Sequence, residues 1–196
     1  LKKLCKFEGL NEYIIMINLK SILKVSLALS ILLSIPAIAQ NNSTASSAKK
    51  DERPSPPVTI EKDLGAGLKV SIKYNAPGVK GRTIWGDLVP YGKVWRTGAN
   101  EATTIEVSRD AKMEGNGLFA GKYALFTIPG ETEWTVIINK VSDQWGAYKY
   151  DESKDLFRFN VKPEKGEFKE RMEINISDNG RITLAWENIV IGFNIM

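Results

Sequence analysis

The sequence predicts an all-β domain: an antiparallel β-sandwich, or a flattened barrel, of about ten short strands. Three observations carry this expectation. Apolar residues recur with period two from Val58 onward, helical spacing is nowhere sustained, and clusters of Gly, Asn and Pro separate the apolar runs.

In chain order, Leu68, Val70, Ile72 and Tyr74 alternate with polar residues, which places one face of a strand in a core. Trp134, Val136 and Ile138 repeat the pattern, as do Phe157, Phe159 and Val161, then Met172, Ile174 and Ile176. The C-terminal stretch contains two further runs, Ile182, Leu184, Trp186 and Ile189, Ile191, Phe193, Ile195. Between them stand turn signals: Glu114-Gly115-Asn116-Gly117, Pro129-Gly130 and Asp178-Asn179-Gly180, the last a hairpin turn because Asn-Gly tolerates positive φ. No internal repeat is present.

Ahead of the domain the chain reads as an address. Residues 16–39 have a basic start, an apolar run from Val25 to Ile35, and a Pro36-Ala37-Ile38-Ala39 small-x-small signal, which predicts a cleaved signal peptide with cleavage after Ala39. Residues 1–15 read as translated upstream sequence, since Met16 is a suitable initiator and Glu8 and Glu12 do not suit a leader. Residues 40–57 are polar and rich in Ser, Asn and Pro, a composition too poor in apolar surface to offset its ordering entropy, and predict a flexible tether. The single domain then spans 58–196. The expectation is an exported protein, periplasmic or secreted, with no membrane anchor once the leader is removed.

Composition narrows the chemistry. Of 196 residues 43% are hydrophobic and 26% charged, which excludes a disordered or collagen-like chain. The chain has no histidine, so Ser-His-Asp triads and His-ligated zinc are excluded. Its one cysteine, Cys5, precedes the predicted cleavage point. The formal charge of +4 falls to +1 once residues 1–39 are set aside, because they carry five basic and two acidic side chains. A near-neutral exported domain gives no support to nucleic-acid binding. No metal and no cofactor is predicted.

One stretch breaks the strand pattern. Residues 75–104 alternate poorly, hold five glycines and two prolines, and concentrate Lys80, Arg82, Trp85, Asp87, Tyr91, Lys93, Trp95, Arg96, Asn100 and Glu101. A long irregular connection this aromatic is a candidate functional loop. Its run Lys80-Gly81-Arg82, Trp85-Gly86, Leu88-Val89-Pro90-Tyr91-Gly92, Val94-Trp95-Arg96-Thr97-Gly98-Ala99-Asn100-Glu101-Ala102-Thr103 resembles the signature of a secreted bacterial family known as domain of unknown function 2911. Ala120-Gly121, Tyr123, Leu125-Phe126, Ile128-Pro129-Gly130, Trp134-Thr135-Val136-Ile137, Trp145-Gly146, Asp155 and Arg158 extend the resemblance over the domain from about Pro54. The resemblance implies an exported β-rich domain and brings no activity.

The segment admits two physical readings. In one, the planar forks of Arg82 and Arg96, with Lys80 or Lys93 as a point charge and Trp85, Tyr91 and Trp95 as walls, bind a small anionic or carbohydrate ligand, or an envelope protein. In the other, the two arginines pair with Asp87, Glu101 or Asp155 and satisfy loop carbonyls, while the tryptophans are core. Asp155 and Arg158 are secondary candidates. A carbohydrate hydrolase built from Asp87, Glu101, Asp155 and Glu187 is the enzyme alternative, and a purely structural envelope module is the third. Gly115 to Lys122 fails as a phosphate loop on spacing, and the Asp151-x-Ser153-x-Asp155 alternation fails as an EF-hand because Leu156 and Lys162 replace its Gly and Glu.

Overall fold

Residues 53–196, those described by the computed structural model, form ten strands, and the six alternating runs fall on five of them. They are β1 (Pro57–Asp63), β2 (Lys69–Asn75), β3 (Thr104–Val107), β4 (Ala111–Met113), β5 (Asn116–Leu118), β6 (Gly121–Ile128), β7 (Trp134–Asn139), β8 (Asp155–Val161), β9 (Glu164–Ile176) and β10 (Arg181–Asn194). The expected leader, and the expected tether as far as residue 52, lie outside the described residues.

Six strands form one antiparallel sheet in the order β1-β2-β3-β6-β7-β8, and the long β9–β10 hairpin forms the second layer. β9 runs beside β1 and β10 beside β8, so the hairpin lies across the sheet without closing a barrel. The β4–β5 hairpin is a short excursion between β3 and β6. The expected sandwich is thus the fold, although β9 and β10, at 13 and 14 residues, are not short.

Inward positions of both layers share one core. Ile72, Ile105, Val136 and Ile138 are fully buried from the sheet, and Met172, Ile182, Leu184, Trp186 and Phe193 meet them from the hairpin. Each such aliphatic side chain contributes roughly 1.5–3 kcal/mol relative to exposure. A backbone bond from Ile174 N–H to the Tyr74 hydroxyl (3.1 Å) ties the layers together.

The last two apolar runs are one strand. Their phase changes from even to odd numbers between Trp186 and Ile189, and the pairing register of β10 with β9 shifts at Ala185/Glu187 and Glu187/Ile189. Glu187 sits at φ +54 in this bulge. The extra residue returns Ile191, Phe193 and Ile195 to the core face instead of sending them to solvent. At the hairpin tip only Gly180 takes positive φ (+81), and its N–H donates to Ser177 O.

The outer face of the sheet is not uniformly polar. Ala102, Ala124, Phe126 and Ile137 are buried on it and form a second cluster with Val94, Ala147 and Tyr150. What covers them is loop: residues 94–102 and the 140–150 connection between β7 and β8. Residues 53–57, expected within the tether, are held to the domain. Pro57 opens β1, Pro56 O accepts from Ala76 N–H, and Ser55 O accepts from Asn100 Nδ2.

Candidate functional site

The irregular segment connects β2 to β3, and most of its chemistry is spent on building itself. Arg82 turns its fork onto backbone, with Nε donating to Val79 O (3.1 Å) and Nη2 to Gly78 O (2.6 Å). Lys80 stands at φ +50, its N–H donating to Glu170 Oε1 (3.0 Å), which fastens the loop to β9. Asp87 is exposed on a turn closed by Gly86 N–H to Val89 O, and among the described residues it forms no ion pair. Tyr91 lays its ring over Gly86, with 40% of its surface exposed.

Trp95 is core, and Trp85 packs partly buried against it. Trp85 and Trp95 meet Trp134 and Trp186 in a four-indole cluster with ring centroids 4.8–6.4 Å apart, mostly edge to face. Trp95 donates Nε1–H to Gly98 O, which fixes the turn through Thr97 to Asn100. Thr97, fully buried at φ +55, is held there by its hydroxyl on Thr127 Oγ1 and by Thr103 Oγ1 donating to its carbonyl. The indoles therefore form no wall for a ligand.

The carboxylates expected beside Arg82 and Arg96 have other partners. Asp155, its side chain 10% exposed, accepts from Arg158 Nε (2.6 Å), Tyr150 OH (2.7 Å) and Asn139 Nδ2 (2.8 Å). Three donors compensate the buried charge. Burial, and then the bond to Asp155, push the Tyr150 hydroxyl up to about 12. Arg158 adds bonds to Tyr150 OH and Glu152, and its charged form is favoured by Asp155 and Tyr150 despite burial. Because the Tyr150 ring also packs on Phe126 (5.1 Å), this network pins the 140–150 loop to the sheet. Asp155 and Arg158 hold a loop in place.

That loop pairs with the end of the irregular segment. Ala102 N–H donates to Gln144 O and Gly146 N–H to Asn100 O, making Glu101 and Trp145 a directly opposed, non-hydrogen-bonded pair whose side chains share a face. Trp145 is 59% exposed. Glu101 accepts from Asn75 Nδ2 (2.8 Å) and pairs with Arg53 (3.3 Å).

Beside this pair lies a cleft of about 520 Å³, bounded by the end of β2, the Glu101–Thr104 stretch, Lys122 and Ser142 to Gln144. Two amides line it, Asn75 and Gln144, and both are more than nine-tenths buried. Each uses its NH₂ within the protein, Asn75 on Glu101 and Gln144 on Val141 O (2.6 Å). Asn75 Oδ1 and Gln144 Oε1 are left sealed in the wall without a donor. An unsatisfied acceptor of this kind costs about 1–3 kcal/mol.

Of the predicted residues, then, Glu101 lines the cleft, Asn100 beside it bonds to Ser55 and Gly146, and Arg82, Trp85 and Trp95 build the fold. Of the four hydrolase candidates only Glu101 lines this cleft; Glu187 sits in the β10 bulge beside Asn188, and the cleft's other carboxylate is Asp143. Asn75, Gln144, Trp145 and Tyr148 escaped the sequence reading. Trp145-Gly146 was the one available signal, an aromatic and a glycine outside any strand pattern.

No curated protein and no solved structure matches the chain. A family model described as "Protein of unknown function (DUF2911)" matches residues 55–195, nearly all of the described domain and both of the loops that meet at the cleft. The chain belongs to the DUF2911 family.

Proposed function

We propose that this domain is the carbohydrate-binding, non-catalytic module of an exported protein, and that its ligand lies along the cleft between Glu101 and Gln144. The observation that carries the reading is the exposed indole of Trp145 opposed to Glu101, a residue of the polar cleft whose wall holds two amide oxygens lacking donors. A sugar offers what this arrangement lacks: a flat C–H face for the indole and a row of hydroxyl donors for Asn75 and Gln144. The remaining cleft side chains, among them Lys73, Lys122, Thr104 and Ser142, add donors that orient a polyhydroxyl ligand. Export is supported by the apolar run and small-x-small signal at 25–39.

Screening on a glycan array, followed by calorimetric titration of the glycans that bind, tests the reading. Trp145→Ala is expected to weaken binding at least tenfold while the melting temperature stays within 1–2 °C, since an indole this exposed contributes little to the core. Binding that is indifferent to Trp145 and Gln144 refutes it. Turnover of a bound glycan would instead favour the hydrolase, because Glu101 and Asp143 share the cleft. The mass of the exported chain tests the leader: it should begin at Gln40.

A further inference from the structure

We infer that the carbohydrate bound here is an acidic one, a uronic-acid residue whose carboxylate is received by Arg96. This rests on the carbohydrate reading above and specifies its ligand class. Trp95 and Arg96 are adjacent in a short extended stretch held to β6 by the Trp95–Thr127 bridge, so alternation sends Trp95 into the core and Arg96 to the outer side, beneath the 140–150 loop. There its guanidinium is half-buried and meets no acceptor. Arg96 Nε is sealed from solvent with no hydrogen-bond partner, and the side chain forms no ion pair among the described residues. Arg82, Arg109, Arg158 and Arg171 by contrast all direct their forks onto carbonyls, a hydroxyl or carboxylates. With Nε sealed, the two Nη groups are the end through which Arg96 can grip a ligand, and two parallel N–H donors match the two oxygens of a carboxylate.

The surroundings supply the rest of the seat. Gly146 stands at φ +65, and a methyl group on its Cα would lie 3.0 Å from the Tyr148 ring and 3.8 Å from Arg96 Nη1. Ring and guanidinium thus both border Gly146, whose missing Cβ lets the Tyr148 ring lie close against its backbone. Tyr148 is 83% exposed, its ring lying against Gly146 with no role in the core. An aromatic face beside an unpaired guanidinium suits a sugar ring that carries a carboxylate. The seat adjoins the cleft through the same three residues, since Gln144 lines the cleft, Trp145 flanks Glu101 and Gly146 floors the Arg96 site.

The test compares trigalacturonate with its fully methyl-esterified form, which has the same rings and no charge, by calorimetry on the exported chain. The expected result is binding of the acid at least tenfold tighter than the ester. Arg96→Gln should abolish that preference, Arg96→Lys should restore part of it, and Tyr148→Ser, at a site too exposed to affect folding, should weaken the acid. Equal binding of acid and ester by the wild type overturns the carboxylate seat and leaves the carbohydrate reading standing; binding of neither overturns the uronic-acid inference, and the carbohydrate reading falls with it when the glycan array also shows no binding. Sodium acetate at matched ionic strength serves as the third probe. If it displaces the trisaccharide as well as free galacturonate does, Arg96 holds a simple anion and the sugar-acid inference fails.

Discussion

Arg82 and Arg96 offer a paired experiment, because one sequence segment holds two arginines with opposite surroundings. Replacing either by lysine keeps the charge and removes the fork. Arg82 makes two charged hydrogen bonds to carbonyls, from Nε to Val79 O at 3.1 Å and from Nη2 to Gly78 O at 2.6 Å. A lysine reaches one of the two. A bond from a charged donor is worth about 1.5–3 kcal/mol when shielded, and Arg82 is an exposed residue, so the loss should be about 1–2 kcal/mol. For a domain of this size that is a fall in Tm of roughly 3–8 °C. Arg96→Lys removes no bond within the protein and relieves a sealed, unpartnered Nε, so its Tm should equal or slightly exceed that of the wild type. Differential scanning calorimetry of the two variants decides the matter. An Arg82→Lys protein that melts with the wild type, or an Arg96→Lys protein that loses as much as Arg82→Lys, would refute the division of the segment into a structural part and a ligand-facing part.

Three other outcomes follow from particular contacts. Gly180→Ala should destabilise by more than about 2 kcal/mol, visible as a lower urea midpoint, since the φ is +81 and the added Cβ would lie 2.0 Å from Ile195 O. Tyr150 is raised in the folded state by burial and by Asp155, so its contribution is fully present below the ordinary tyrosine value near 10 and is lost as pH climbs towards about 12. Stability should fall across that window, and Tyr150→Phe should flatten the slope. In fluorescence, Trp145→Phe should remove most of the acrylamide-quenchable emission, because Trp134 and Trp186 are 1% exposed, Trp95 8%, and Trp85 is partly buried; quenching undiminished by the substitution would mean that the four-indole cluster opens.

Period-two alternation placed β2 and β7 to β10, since a face buried in a two-layer sheet is apolar at every second residue, while β1 and β3 to β6 carry no such run. Even the bulge in β10 was written as a change of phase between Trp186 and Ile189, although its meaning as one bent strand needed the β9 partner. The outer cluster was not legible. Phe126 and Ile137 lie off the inward face, and whether such residues are exposed depends on loops that fold back over them from far along the chain. The same holds for the site. Composition marked residues 80–101 as unusual, but the carboxylate that each arginine meets is a matter of distances between segments. Asp155 is taken by Arg158 three residues away, Glu101 is held by Asn75 and Arg53, and Arg96 is left unpaired. The opposition of Glu101 and Trp145 joins residues from two irregular loops with no common period, so only the tertiary structure could bring that indole beside Glu101.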